Sequence, residues 1–302
     1  MEAFAYVAPQ QLGEVLAELA RRLKAGERAQ MLAGGTDLLV QMRSLDKSPR
    51  AIVDIKKLPE TNVLTIGNQE TEIGAALPGA VLSVDERLTG RFPGLMEALD
   101  LIGSMQIQGR ASLGGNLCNA SPAGDTIPAL IAVGARCQIA GLDAQGAIQR
   151  RELPVEEFVV GVGKNALAPG EVLLSFRIPE PAPGTADAYL RFTPRTEMDI
   201  AVAGAGVSVT LDKAGVCQAA RVGIGAVAPT PLLVPEAAAA LVGSTLDDAA
   251  LAQAAAACSA AANPISDKRG TVAYRRHVVG VLCKRAARIA GDRARQKLQE
   301  SH

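Results

Sequence analysis

The chain has 302 residues, enough for about two domains with cores of their own and no need of covalent staples. Lys plus Arg and Asp plus Glu are each 31, and aromatic residues are 3% with no Trp, so the chain has neither the field nor the stacking surfaces expected of a nucleic-acid binder. Five scattered cysteines with no C-x-x-C pair speak against a disulfide framework, a zinc site or an iron–sulfur site, and a reducing, cytoplasmic setting is expected.

Residues 1–6 lack the basic start and apolar run of an export signal. From Pro9 an amphipathic helix is expected, with Leu12, Val15, Leu16, Leu19, Ala20 and Leu23 on one face and Gly26 as its stop. Residues 29–33 follow as a strand that runs through Gly34-Gly35-Thr36-Asp37 into a helix over 38–42. Another strand is expected at 51–55, then a hairpin of 63–66 with 72–76 about Gly67-Asn68-Gln69. Helical patterns at 84–88 and 95–102 lead into a glycine-rich segment, 111–125, and an apolar helix over 127–135. Strands at 137–140 and about 172–178 close the first half.

Three prolines within residues 179–184 exclude a strand or helix interior and place the domain boundary there. Beyond it, strands at 200–211 and 216–226 are joined by Asp212-Lys213-Ala214-Gly215, a hairpin turn. Helices are expected at 235–241, 247–262 and 271–290, and the basic stretch 285–297 is expected to fray. The longest uncharged run, 249–266, is rich in alanine and too weakly apolar to span a bilayer.

Two segments could carry chemistry. Gly34 and Gly35 permit a positive-φ turn with uncovered N–H groups, and Thr36 and Asp37 suit the start of the following helix, which makes an anion site. A plain strand-to-helix turn with a capping residue is the competing reading, and no Walker G-K-[ST] follows. The second segment, Ser112-Leu113-Gly114-Gly115-Asn116-Leu117-Cys118-Asn119-Ala120-Ser121-Pro122-Ala123-Gly124-Asp125, offers free backbone amides, small polar side chains and an acid able to accept from ribose hydroxyls. Its competing reading is an ordinary surface loop. Two separate anion turns suit a diphosphate better than one.

Other patterns fail on physical grounds. Gly223-Ile224-Gly225-Ala226-Val227-Ala228 matches G-x-G-x-x-A, but Pro229 and Pro231 block the helix that would hold a pyrophosphate. Gly204-Ala205-Gly206 continues into strand and marks close packing in a sheet. The two histidines, His277 in a basic helix and the terminal His302, exclude Ser-His-Asp catalysis and His-rich metal sites.

At these glycine segments the sequence resembles the FAD-binding medium subunit of the molybdenum hydroxylases, the family of xanthine dehydrogenase and carbon monoxide dehydrogenase. The likeness runs through Phe4-x-Tyr6, residues 33–39, Ile102-Gly103, Gln106-Ile107, Arg110 to Asp125, and residues 171–175. It continues through Arg195-x-x-x-Asp199-Ile200-Ala201, residues 225–231 and Asp267-x-Arg269-Gly270-x-x-x-Tyr274-Arg275. The resemblance implies an α+β fold: a PCMH-type (vanillyl-alcohol-oxidase-like) FAD domain over 1–178, with subdomains about 1–56 and 57–178. A C-terminal domain over 185–302, with a three-stranded antiparallel sheet and a helical bundle, would follow. The flavin is expected between the domains.

Carried over by position, Leu32, Ala33, Gly34, Gly35, Thr36 and Asp37, with Ser112, Gly114, Gly115 and Asn116, would bind the pyrophosphate. Ile102, Ala111 and Asn119 would line the cofactor, and Asp125 would meet its ribose or adenosine end. The family often has a lysine near the ring where this chain has Arg191, bulkier and permanently charged. No cysteine-bearing insertion for an extra cluster lies between Leu64 and Ala75. The implied role is electron transfer through FAD, from [2Fe–2S] clusters on a small partner to an outside acceptor, beside a large molybdopterin-binding subunit in a dimer of heterotrimers. No side chain of this chain would act as a catalytic acid or base. A stand-alone flavoprotein oxidase and a nucleotide-binding assembly module remain as alternatives.

Overall fold

The computed structural model describes residues 4–44, 50–195 and 198–300. The terminal His302 lies outside them, while His277 is exposed on its helix.

Strands β1 (Ala5–Val7), β2 (Arg28–Leu32) and β3 (Arg50–Asp54) form a parallel sheet in the order β1-β3-β2. Helix α1 (Leu12–Lys24) connects β1 to β2, and α2 (Leu38–Ser44) follows β2. The Glu14 carboxylate accepts the orphan N–H groups of Gln10 and Gln11 at the start of α1, and Gly26, at φ +67°, turns the chain out of it. Leu12, Val15, Leu16 and Leu19 lie buried against Val53 and Ile55, each contributing about 1.5–3 kcal/mol.

The second sheet is antiparallel, in the order β4-β5-β10-β6-β7. Its strands are β4 (Leu64–Ile66), β5 (Glu70–Gly74), β6 (Arg136–Leu142), β7 (Ile148–Pro154) and β10 (Val172–Pro179), and β8 (Val159–Gly161) pairs separately with β9 (Lys164–Asn165). Between β5 and β6 come α3 (Gly79–Leu82), α4 (Glu86–Arg91), α5 (Pro93–Asp100), α6 (Met105–Gln108), α7 (Leu113–Cys118) and α8 (Thr126–Ala132). Leu82, Leu88, Leu95, Leu99 and Leu130 from these helices share a core with Ile73, Ile139 and Phe176 of the sheet.

A four-stranded antiparallel sheet follows, β11 (Thr185–Phe192), β12 (Ala203–Leu211), β13 (Cys217–Gly225) and the two-residue β14 (Leu232–Leu233), in chain order. The first three are the long strands implied by the resemblance. Helices α9 (Pro235–Leu241), α10 (Asp248–Ala261) and α11 (Val272–Glu300) complete the core on that sheet.

The pattern reading does not find β7, the β8–β9 hairpin or β11. The expected fraying at 285–297 is corrected: α11 is continuous to Glu300. Ala286, Ala287, Ala290 and Ala294 form a buried stripe beneath the arginines. Arg293 donates to Asp187 O and pairs with Glu97, and Arg295 donates to Thr245 O.

The last sheet meets the helices of the preceding one through glycines. Gly206 and Gly223 are register partners on β12 and β13. A Cβ at these positions would stand 2.6 and 2.4 Å from the carbonyl oxygen of Pro128 on α8. At Gly94 of α5 a Cβ would meet Ala188 Cα at 2.6 Å. Asp187 of β11 accepts the Leu95 N–H at 3.0 Å, capping α5 from the far side of the junction, and burial pushes its carboxyl up to about 6.

The glycine requirement at this junction is directly testable. Gly223→Ala is expected to lower unfolding free energy by about 1–3 kcal/mol, because backbone on both sides must part. Urea unfolding of the full chain measures it, and an unchanged midpoint would contradict the contact.

Candidate functional site

The turn from β2 into α2 is built by Gly34 and Gly35. Gly35 has φ +80°, a left-handed conformation that glycine adopts freely. Gly34 presses on the second glycine segment so tightly that a Cβ would lie 1.8 Å from Arg110 O. Among the described residues, the N–H groups of Gly34, Gly35, Thr36, Asp37 and Leu38 find no acceptor. All five residues border a cavity of about 370 Å³, a volume within the roughly 300–1,000 Å³ of ligand sites.

A second stretch of the lining comes from the start of α7. Here the sequence predicts free amides, and the structure corrects it. Gly114 N–H donates to Ala75 O at 3.1 Å, Gly115 N–H to Ser112 Oγ at 3.1 Å, and Asn116 N–H to Ser112 O at 3.0 Å. A Cβ at Gly114 would meet Ala75 O at 2.4 Å, so this glycine serves close packing. What the segment offers the cavity is side chains. Asn116 Oδ1 accepts from Thr126 Oγ1 at 2.8 Å, and Asn119 Oδ1 accepts from Gln41 Nε2 at 3.0 Å. Neither carboxamide NH2 has an acceptor among the described residues.

Ala33, Ile102, Ala111, Ser112, Gly114, Gly115, Asn116 and Asn119 thus gather with the first turn on one cavity wall system. Leu32 sits beneath it, and a Cβ on Gly35 would lie 2.9 Å from its Cδ1. Pattern reading misses Gln41, Arg28, Gln30 and Asn165, which also border the space. Gln41 was within reach, since it follows Asp37 by four residues and shares its helix face. Cys118 borders the cavity as a protonated thiol, pushed up to about 12 by burial.

Asp125 and Arg191 sit with each other and are not on that wall. Arg191 Nη1 reaches Asp125 Oδ2 at 2.7 Å, and Tyr189 O–H donates to Asp125 Oδ1 at 3.2 Å. Burial raises the Asp125 carboxyl to about 6, against the opposing pull of the Arg191 charge and the two hydrogen bonds. The other shared motifs brace the start of α11. Arg275 pairs with Asp267 at 2.8 Å and donates to Val202 O and Ala226 O. Asp199 faces Arg269 at 3.5 Å, and Tyr274 packs edge-on to Phe192. Gly223 and Gly225 lie in β13 and not before a helix, as their flanking prolines require.

Residues 2–181 match the family described as FAD binding domain in molybdopterin dehydrogenase, and residues 188–290 match the CO dehydrogenase flavoprotein C-terminal domain. The chain belongs to this family. Among these flavoproteins it is 33% identical over 293 residues to the carbon monoxide dehydrogenase medium chain of Afipia carboxidovorans, spanning 97% of this chain and 98% of that one. It is 28% identical to the xanthine dehydrogenase FAD-binding subunit of Escherichia coli O157:H7, over 94% of this chain and 96% of that subunit. The solved structure of reconstituted CO dehydrogenase from Oligotropha carboxidovorans superposes with a TM-score of 0.89 at 32% identity, covering 97% of this chain and 99% of that one.

The cavity suits the family's cofactor on structural grounds. Five N–H groups and two amide NH2 groups without an acceptor among the described residues line one cavity, and a diphosphate, an acceptor on every side, would satisfy them.

The Arg191–Asp125 pair predicts a pH dependence. The folded carboxyl, at about 6, lies above an unfolded value of about 3.9, so its ionisation costs stability as pH rises through that window. Arg191→Met removes the compensating cation. It is expected to destabilise the chain by about 3 kcal/mol at pH 8 and much less at pH 5, where Asp125 takes up a proton. Equal losses at both pH values in denaturant titrations would contradict the pairing.

Proposed function

We propose that the chain is the FAD-carrying electron-transfer subunit of a molybdenum hydroxylase. The observation that carries this reading is the donor-lined cavity between the two glycine segments, in a chain of this family. Gly34, Gly35, Thr36, Asp37 and Leu38 would hold the pyrophosphate by their N–H groups, and Asn116 and Asn119 would complete its shell by their NH2 groups. Ile102 and Ala111 supply apolar contact beside them and exclude water. Leu32 supports the turn from below. We assign Asp125 and Arg191 to the junction between the domains.

When bound, FAD supplies the redox chemistry, and the protein supplies position and electrostatics. Electrons would arrive from [2Fe–2S] clusters on a small subunit, after substrate oxidation at a molybdopterin-binding large subunit, and leave to an external acceptor. Related chains carry the names medium chain and FAD-binding subunit, which supports a heterotrimer, and we extend this to a dimer of heterotrimers. Among the described residues no helix is long and apolar enough to cross a membrane, and we place the complex in the cytoplasm. The domain division we adopt is 1–178, with subdomains 1–56 and 57–178, and 185–302, which follows the change of sheets between β10 and β11.

The test is the visible spectrum of the purified chain, alone and with its co-purifying subunits, followed by chromatography of any nucleotide released on denaturation. Stoichiometric FAD is expected. In the assembled complex, removal of FAD is expected to stop acceptor reduction while the iron–sulfur clusters still accept electrons. A folded chain that takes up no flavin, alone or assembled, would overturn the proposal.

A further inference from the structure

The hydrogen bond from Gln41 Nε2 to Asn119 Oδ1, at 3.0 Å, joins two segments that line the cavity. Gln41 belongs to α2, which follows the first glycine turn, and Asn119 is the C-cap of α7 in the second segment. Both side chains border the space where the ligand would sit. A carboxamide has one accepting end and one donating end. With Oδ1 held by Gln41, the Asn119 NH2, which has no acceptor among the described residues, is left to donate to a ligand. The same polarity recurs at Asn116, whose Oδ1 is held by Thr126 Oγ1 at 2.8 Å, and Gly124 leaves room for that oxygen, since a Cβ there would come within 3.0 Å of it. Two neighbouring asparagines are therefore turned the same way by partners on different elements, Gln41 on α2 and Thr126 on α8.

We propose that Gln41 is a positioning residue of the cofactor site: its donation to Asn119 Oδ1 fixes the Asn119 NH2 as a donor to the cofactor's oxygens and clasps the two glycine segments over it. The inference rests on the FAD reading and adds to it a residue of α2 that acts through Asn119. Gln41 is suited to this because its amide can donate to an oxygen while remaining uncharged. A glutamate in its place would accept from Asn119 Nδ2, turn the Asn119 oxygen toward the ligand and add a negative charge beside phosphate.

The test uses the full chain stripped of flavin, with FAD affinity read from quenching of flavin fluorescence and the melting temperature of each apo variant as a folding control. The parent is expected to bind FAD. Gln41→Leu is expected to bind roughly tenfold more weakly, the loss of about one hydrogen bond's contribution, and Gln41→Glu more weakly again, with apo melting unchanged in both. In an Asn119→Ala background Gln41→Leu is expected to cost nothing further, which separates an effect through Asn119 from a merely structural one. Full affinity in Gln41→Leu, or an equal loss in both backgrounds, would overturn the inference while leaving the FAD reading intact. A folded parent that takes up no FAD would overturn the FAD reading, and the inference with it.

Discussion

The close approach of α8 to the C-terminal sheet is the contact on which the rest of the site depends. Gly206 and Gly223 give up side chains so that the Pro128 carbonyl can rest on β12 and β13, and Gly225 does the same for the Pro128 ring. Proline is tolerated there because the first turn of a helix has no acceptor for its missing N–H. With α8 seated, its first residues have fixed positions. Asp125 meets Tyr189 and Arg191 of β11, and Thr126 turns Asn116 toward the cavity. The C-terminal sheet thus sets the polarity of a cavity wall without supplying a residue to it.

The same junction holds two buried carboxylates with different remedies. Asp125 has a guanidinium beside it, whereas Asp187 is answered by the N–H groups at the start of α5, with Arg293 and Lys297 acting at longer range. Both are pushed up to about 6, so desolvation outweighs the compensation in each. Such groups cost stability and fix geometry, and here they fix how α5 and α8 stand against β11.

Much of this was legible in the sequence where local signals and tertiary demands agree. The apolar stripe of α1, the hairpin of β4 with β5 and the turn between β12 and β13 follow from spacing and turn residues alone. The Gly34-Gly35 turn was legible as a turn with uncovered amides, which have no acceptor among the described residues. The second glycine pair was not, because its amides are claimed by Ala75 and Ser112, and no local pattern reveals that Ala75 lies alongside. Strand β11 escapes because Asp187 and Arg191, charged residues that serve the junction, interrupt its alternation. Strand β7 escapes because Arg150 and Glu152 face water at a sheet edge, where Glu152 answers Arg136 of β6, and Arg151 between them pairs with Glu171. In α11 the basic composition hides an alanine stripe that only the neighbouring helix and sheet make meaningful.

The contact of Gly34 with Arg110 joins parts of the chain far apart in sequence, and this has a kinetic consequence. Loop closure of that length is an entropic cost met only after the local helices and hairpins have formed. The cavity exists only once that loop is closed. A ligand held there binds only the chain in which the loop is closed and so favours that form by mass action. Occupancy would lengthen the lifetime of a chain already folded, and a newly made chain would have to fold unaided.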